Sequence, residues 1–146
     1  LERHGLDDKP SKVQTKILAD TSRETIPPAV RESVEKGSNL VTDALSPYDD
    51  LNTEYVHEVI DHAEAYVRGH VHTNGIENFW SLLKRAIKGT YVSVEPFHLT
   101  RYLDEQTFRF NTRKTNDANR FESVVSGITG KRLTYNQLIG ATTTPA

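Results

Sequence analysis

The chain has 146 residues, no cysteine, no methionine and a formal net charge of -2. That length makes one domain, able to bury roughly 68–70% of its unfolded surface. No apolar run approaches the ~20 residues of a membrane span, no signal-peptide pattern opens the chain, and the lack of cysteine excludes disulfides, thiolate metal sites and cysteine nucleophiles. A cytoplasmic protein without a membrane partner is expected. The chain opens on Leu1 where a translation product opens on Met, so it reads as a fragment or processed piece. Charge is unevenly spread: residues 1–78 carry 8 Lys and Arg against 15 Asp and Glu, and residues 79–146 carry 10 against 5. Such a split suits an acidic cation-binding region beside a basic polyanion-binding one, or is the ordinary fluctuation of charge along a chain.

The N-terminus reads as a β-hairpin, with strands near Leu1–His4 and Val13–Ala19 around a Gly-, Asp- and Pro-bearing turn over Gly5–Lys12. Ile26–Lys36 follows as a helix, with Pro27 and Pro28 in its first turn and Gly37 just past its end. Asn39–Thr42 is a short strand ending at Asp43, and after the break at Ser46-Pro47 a helical turn spans Pro47–Leu51. Val56–Ile60 is β-branched enough for a strand, with a helix running on to Ala65 as the alternative. Thr90–Val94 reads as extended. Pro96 then opens a helix to about Arg113, carrying Leu99, Tyr102, Leu103 and Phe110 on one side and the i,i+4 pairs Arg101–Glu105 and Glu105–Arg109. Lys114–Asn119 reads as polar linker, followed by short helices near Arg120–Ser126 and Tyr135–Ile139 and a frayed tail. The order describes an α/β layered domain, yet no candidate strand is apolar enough to be the central one.

The chain is organised around His72–Gly89. Asn74 and Glu77 have capping-box spacing, and Gly89 stands where a helix takes its left-handed C-terminal residue. Ile76, Phe79, Trp80, Leu83 and Ile87 form an apolar stripe at helical period. Glu77, Ser81, Lys84 and Lys88 form a second stripe beside it, so one carboxylate and two ammonium groups line the edge of a face docked on a core. Glu77 has two readings: a helix cap, contributing roughly 0.5–2 kcal/mol, or a metal ligand or general base with Lys84 two turns on holding a phosphate. The second needs another carboxylate. Asp43, at the C-terminal end of a strand where open α/β sheets put their ligands, is the natural partner, and two such carboxylates suit Mg²⁺. Its plainer reading is an Asx-type turn or helix cap before Pro47.

Long blocks then become recognisable. T-D at 42–43, Y at 48, H-E-V-I-D-H at 57–62, H-T-N-G-I-E-N-F-W-S-L-L-K-R at 72–85, G-T-Y at 89–91 and H-L-T-R-Y-L-D-E-Q-T-F-R-F-N-T-R at 98–113, with E-R-H-G at 2–5, resemble the ISXO-like DDE transposases of bacterial insertion sequences. The resemblance covers nearly the whole chain. It implies a ribonuclease-H-like fold over residues 1–113, with 114–146 a C-terminal helical extension of the same domain. It also implies three acidic residues holding two Mg²⁺ or Mn²⁺ ions, with Asp43 matching the second acid and Glu77 the third. Lys84 matches a basic position used on the DNA end, and Lys84, Arg85 and Lys88 are the expected phosphate contacts.

The family's first acid lies on a central strand upstream of the E-R-x-G segment, so this sequence is expected to lack both that strand and that acid. The function implied is metal-dependent cleavage and strand transfer at the ends of a mobile element, on double-stranded DNA and in a homo-oligomer. With two acids of three, this chain is expected to be inactive alone. The alternatives are a DNA-binding remnant that does not cut and a nuclease of the same fold. His57, His62 and His72 match family positions and are expected to make structural hydrogen bonds.

Overall fold

The structure, a computed structural model, describes residues 1–4, 10–43, 46–60 and 74–141. Its elements alternate strand and helix before ending in helices, so the domain is mixed α/β as the sequence order requires. The sheet is not continuous among the described residues. Strands β1 (Glu2–Arg3) and β2 (Lys12–Val13) form an antiparallel pair, and β3 (Asn39–Asp43) and β4 (Val56–Ile60) form a separate parallel pair. No central strand joins the two pairs among these residues, in keeping with the sequence, where none was apolar enough for that place.

The hairpin's second strand is shorter than its sequence suggests. Gln14 N donates to Leu1 O at 2.9 Å and the Leu1 amine donates to Gln14 O at 2.9 Å, after which the pairing stops. Ile17, which the longer strand would have carried, is 48% exposed. Helix α1 (Ile26–Ser33) also ends early, because Val34 is extended and accepts a 3.1 Å hydrogen bond from the Tyr55 hydroxyl. Gly37, read as the residue just past the helix, instead takes φ +82° in the turn that leads into β3. Ser46–Leu51 is a 3₁₀ turn and Val56–Ile60 a strand, as read; the alternative continuation to Ala65 lies outside the described residues.

Two apolar clusters hold the fold. Val13, Phe79, Leu83, Leu103 and Phe110 join β2 to helices α2 (Asn74–Arg85) and α3 (Leu99–Asn111), with Ile76, Ile87 and Leu99 packed around them. Ile26, Val30, Leu40, Leu51 and Tyr55 join α1 to β3 and the 3₁₀ turn. Burying each such side chain contributes about 1.5–3 kcal/mol.

The ends of α2 differ from the expectation. Asn74 is already helical, so it is not the cap its spacing suggested, and what precedes it lies outside the described residues. At the other end the helix widens into a π-helical turn over Ala86–Thr90, and Gly89 is not left-handed. The positive φ falls instead on Val92, at +63°, where Ser93 N donates to Tyr91 O at 2.6 Å and closes a three-residue turn. Thr90–Val94 is therefore no strand.

Beyond α3, introduced by a 3₁₀ turn over Pro96–His98, helix α4 (Asp117–Ile128) starts inside the stretch read as linker. The side chain of Asn116 explains this by accepting from Asn119 N at 2.8 Å, an N-cap the reading missed. Helix α5 (Tyr135–Ile139) sits where expected, with a Thr134–Gln137 capping box and Gly140 left-handed at its end. Glu105–Arg109 forms at 2.8 Å, whereas Arg101 bypasses Glu105 and donates to the carbonyls of Gln137 and Leu138, tying α5 to α3. No described helix is long and apolar enough to cross a membrane.

Candidate functional site

Helix α2 is amphipathic, and its core face fixes where its polar edge points. Phe79 and Leu83 are buried, one turn apart, against β2 and α3. The 100° step per residue then turns Glu77, Ser81, Lys84 and Lys88 outward, and all four are exposed. Glu77, Trp80, Ser81 and Lys84 line one open groove of about 560 Å³. The expected second stripe is thus real, and it holds a carboxylate and an ammonium group two helical turns apart on one wall.

Trp80 departs from its expected place. It was read as part of the core stripe and is instead 42% exposed in the groove. The reason is angular. Phe79 occupies the centre of the buried face, leaving the next residue at its margin, where its ring meets Phe79 edge-on at 5.4 Å.

Helix α2 begins against the hairpin. The Glu2 carboxylate lies where a Cβ on Gly75 would be. A side chain at position 75 would have to push that flexible carboxylate aside, and the arrangement sets a second carboxylate beside the first described turn of α2, two residues before Glu77. Nothing in the sequence spacing signalled Glu2.

Asp43 is exposed at the C-terminal end of β3, as its sequence position indicated. Its neighbour Thr42 is buried, donates from Oγ1 to Asp43 O at 2.9 Å and lies 2.8 Å from His57 Nε2. His57 Nδ1 faces Asn52 Oδ1, so both ring nitrogens are engaged and His57 braces the strand end, the structural role expected of it. His62 and His72 lie outside the described residues. Tyr48 stands close enough to Asp43 for its phenol pKa to be raised, first by burial and then by the carboxylate's charge.

Asp43 does not line the groove that holds Glu77. Among the described residues no three His, Asp or Glu side chains gather as a metal-binding group. The oxygen donors Asp43 and Glu77 fit a hard cation such as Mg²⁺, which takes one or two protein carboxylates and keeps its waters. A two-ion set needs more than these two side chains supply. Arg85 and Lys88 are exposed on or just beyond the end of α2 and continue the positive charge from Lys84.

The mixed α/β domain thus presents a carboxylate and a run of cations along one exposed helix edge. The comparisons supply the family. Residues 1–111 match the model of the ISXO2-like transposase domain, and the chain belongs to that family. It is also similar to an uncharacterized transposase-like protein of Haemophilus influenzae, 34% identical over 101 residues that span 68% of this chain and 81% of that protein. No solved structure matches. The family match ends within a residue or so of the end of α3, leaving α4 and α5 outside it.

Proposed function

We propose that the chain acts in DNA transposition as part of a phosphoryl-transfer centre on a ribonuclease-H-like fold, with double-stranded DNA ends as substrate. The observation that carries this is the placement of Glu77 and Lys84 on one groove wall of α2, within the family-matched region. Glu77 and Asp43 are the oxygen ligands this reading assigns to divalent cations, Mg²⁺ or Mn²⁺, and it requires the two carboxylates to come nearer than the separate surfaces they occupy here. When bound, such a cation neutralises charge on the phosphoryl group and activates an oxygen nucleophile. The chain's own contribution is positioning. Lys84, and beyond it Arg85 and Lys88, fix the backbone phosphates, while the Thr42–His57–Asn52 hydrogen bonds hold Asp43 at its strand end.

The experiment is Mn²⁺ binding by electron paramagnetic resonance, alongside a nicking and strand-transfer assay on end-bearing DNA. Asp43→Asn and Glu77→Gln should each weaken Mn²⁺ binding, and neither should loosen DNA. Unchanged Mn²⁺ binding in both variants would remove the metal assignment.

A second reading is a module that holds DNA without cutting it. It is favoured by the run of exposed cations Lys84, Arg85 and Lys88 along and just past α2, which needs no metal to meet phosphates. It predicts salt-sensitive DNA binding that survives Glu77→Gln and falls in the Lys84→Ala, Lys88→Ala double variant, with no nicking under Mn²⁺.

A further inference from the structure

Trp80 is the chain's one tryptophan, and it is set as a platform instead of as core filler. Its ring is held edge-on by Phe79, which is 1% exposed and itself meets Phe110 edge-on at 5.5 Å. The indole is therefore braced from the protein side by a buried aromatic pair and open on the groove side. One helical turn on, Lys84 lines the same groove, and one turn back stands Glu77.

We propose that Trp80 stacks an unpaired nucleobase, with Lys84 on the phosphate beside it, so that the groove recognises a single-stranded or frayed DNA end. An aromatic face flanked by an ammonium group matches the two sides of a nucleotide: stacking is indifferent to base identity, and the cation follows the backbone. A base paired inside a duplex is closed to this face because both of its own faces are already stacked, and the terminal pair offers only its one outer face. The groove thus selects strand state, not sequence. This rests on the DNA reading above and adds to it the structure of the end that is bound.

The single tryptophan makes the test direct. Emission of the whole chain is followed while adding an oligothymidylate, a blunt duplex, or the same duplex with a 3′ overhang, at low salt. The overhang and the single strand should quench Trp80 and shield it from acrylamide, and the blunt duplex, whose only open base faces are those of its terminal pairs, should bind with much less of either. Affinity for the overhang should fall roughly tenfold in Trp80→Ala and be largely kept in Trp80→Phe. The salt slope should be unchanged in Trp80→Ala and shallower by about one in Lys84→Ala. An acrylamide response unaltered by overhang DNA, or an equal overhang-to-blunt preference in wild type and Trp80→Ala, would overturn the stacking role while leaving DNA binding intact. Failure of every DNA to bind would overturn the DNA reading itself. Emission that changes with protein concentration in the absence of DNA would show that a second copy covers Trp80 and would equally overturn the proposal.

Discussion

The side-chain amide of Asn111 serves as a strand for Val13. Its Oδ1 accepts from Val13 N at 2.7 Å and its Nδ2 donates to Val13 O at 2.9 Å, so the outer edge of β2 is satisfied by a residue 98 positions away. This stitches the N-terminal hairpin to the last turn of α3 beside the buried Val13 side chain. Asn111→Ala should lower stability by about 1–3 kcal/mol, the cost of leaving part-buried peptide groups without partners. Urea unfolding would show this as a lower midpoint at unchanged slope. Asn111→Asp should behave similarly, because a carboxylate cannot donate to Val13 O.

Phe79 is the keystone of the same cluster, 1% exposed and touching both Trp80 and Phe110. Phe79→Ala should cost about 3–5 kcal/mol. Phe79→Leu should cost less and leave Trp80 emission red-shifted, since the indole loses its brace. An unshifted spectrum in a folded Phe79→Leu would mean that Trp80 is held by something else.

Gly75 and Glu2 should be energetically coupled. Alanine in a helix is favoured over glycine by about 0.8–1.0 kcal/mol, but at position 75 its methyl would meet the Glu2 carboxylate. Gly75→Ala should therefore give less than that gain in the wild-type background and the full gain in a Glu2→Ala background. A double-mutant cycle measures the difference, expected at about 0.5 kcal/mol or more.

Val92 is β-branched and left-handed at φ +63°, in a strained three-residue turn. It is 79% exposed, so substitution there removes little packing. Val92→Gly should raise the thermal midpoint, the relief of about 1–3 kcal/mol of strain exceeding the 0.5–1 kcal/mol of added chain entropy. A lower midpoint would show that the turn is not strained in solution.

Asp20 has a carboxyl pKa lowered to about 2 from 3.8, through hydrogen bonds from the Ser22 hydroxyl, Ser22 N and Thr25. A depressed folded-state pKa contributes stability above the unfolded value, lost as pH falls through the folded one. This contribution is therefore intact above about pH 4 and gone below about pH 2. Asp20→Asn should flatten that part of the stability-pH curve and leave the curve above pH 5 parallel to wild type.

The elements with strong local signals were legible from sequence. The period of Phe79 and Leu83, the Pro27-Pro28 start of α1 and the β-branched run of β4 each specify backbone through contacts only a few residues apart. The second stripe of α2 was legible for the same reason, since 3.6 residues per turn places Glu77, Ser81 and Lys84 on one edge whatever the core does. The family too was legible, because its blocks are long.

Other features came from distant partners and left no local trace. The residue that ends α1 is bonded by Tyr55 and the outer edge of β2 by Asn111, 21 and 98 residues away. Arg101 chose the carbonyls of α5 over the nearby Glu105, since a helix C-terminus offers unpaired acceptors. Trp80 left the core because Phe79 and Phe110 fill it first.

What the sequence by itself determined is where β3, β4, α2, α3 and α5 lie, and which charged groups share the edge of α2, because these follow from signals local to the chain. Only the tertiary structure decided that Glu2 reaches Gly75, that Trp80 faces the groove and that Asp43 lies off the groove of Glu77. Those outcomes depend on which bulky side chains win the limited space between packed elements, and close packing settles that for the whole core at once.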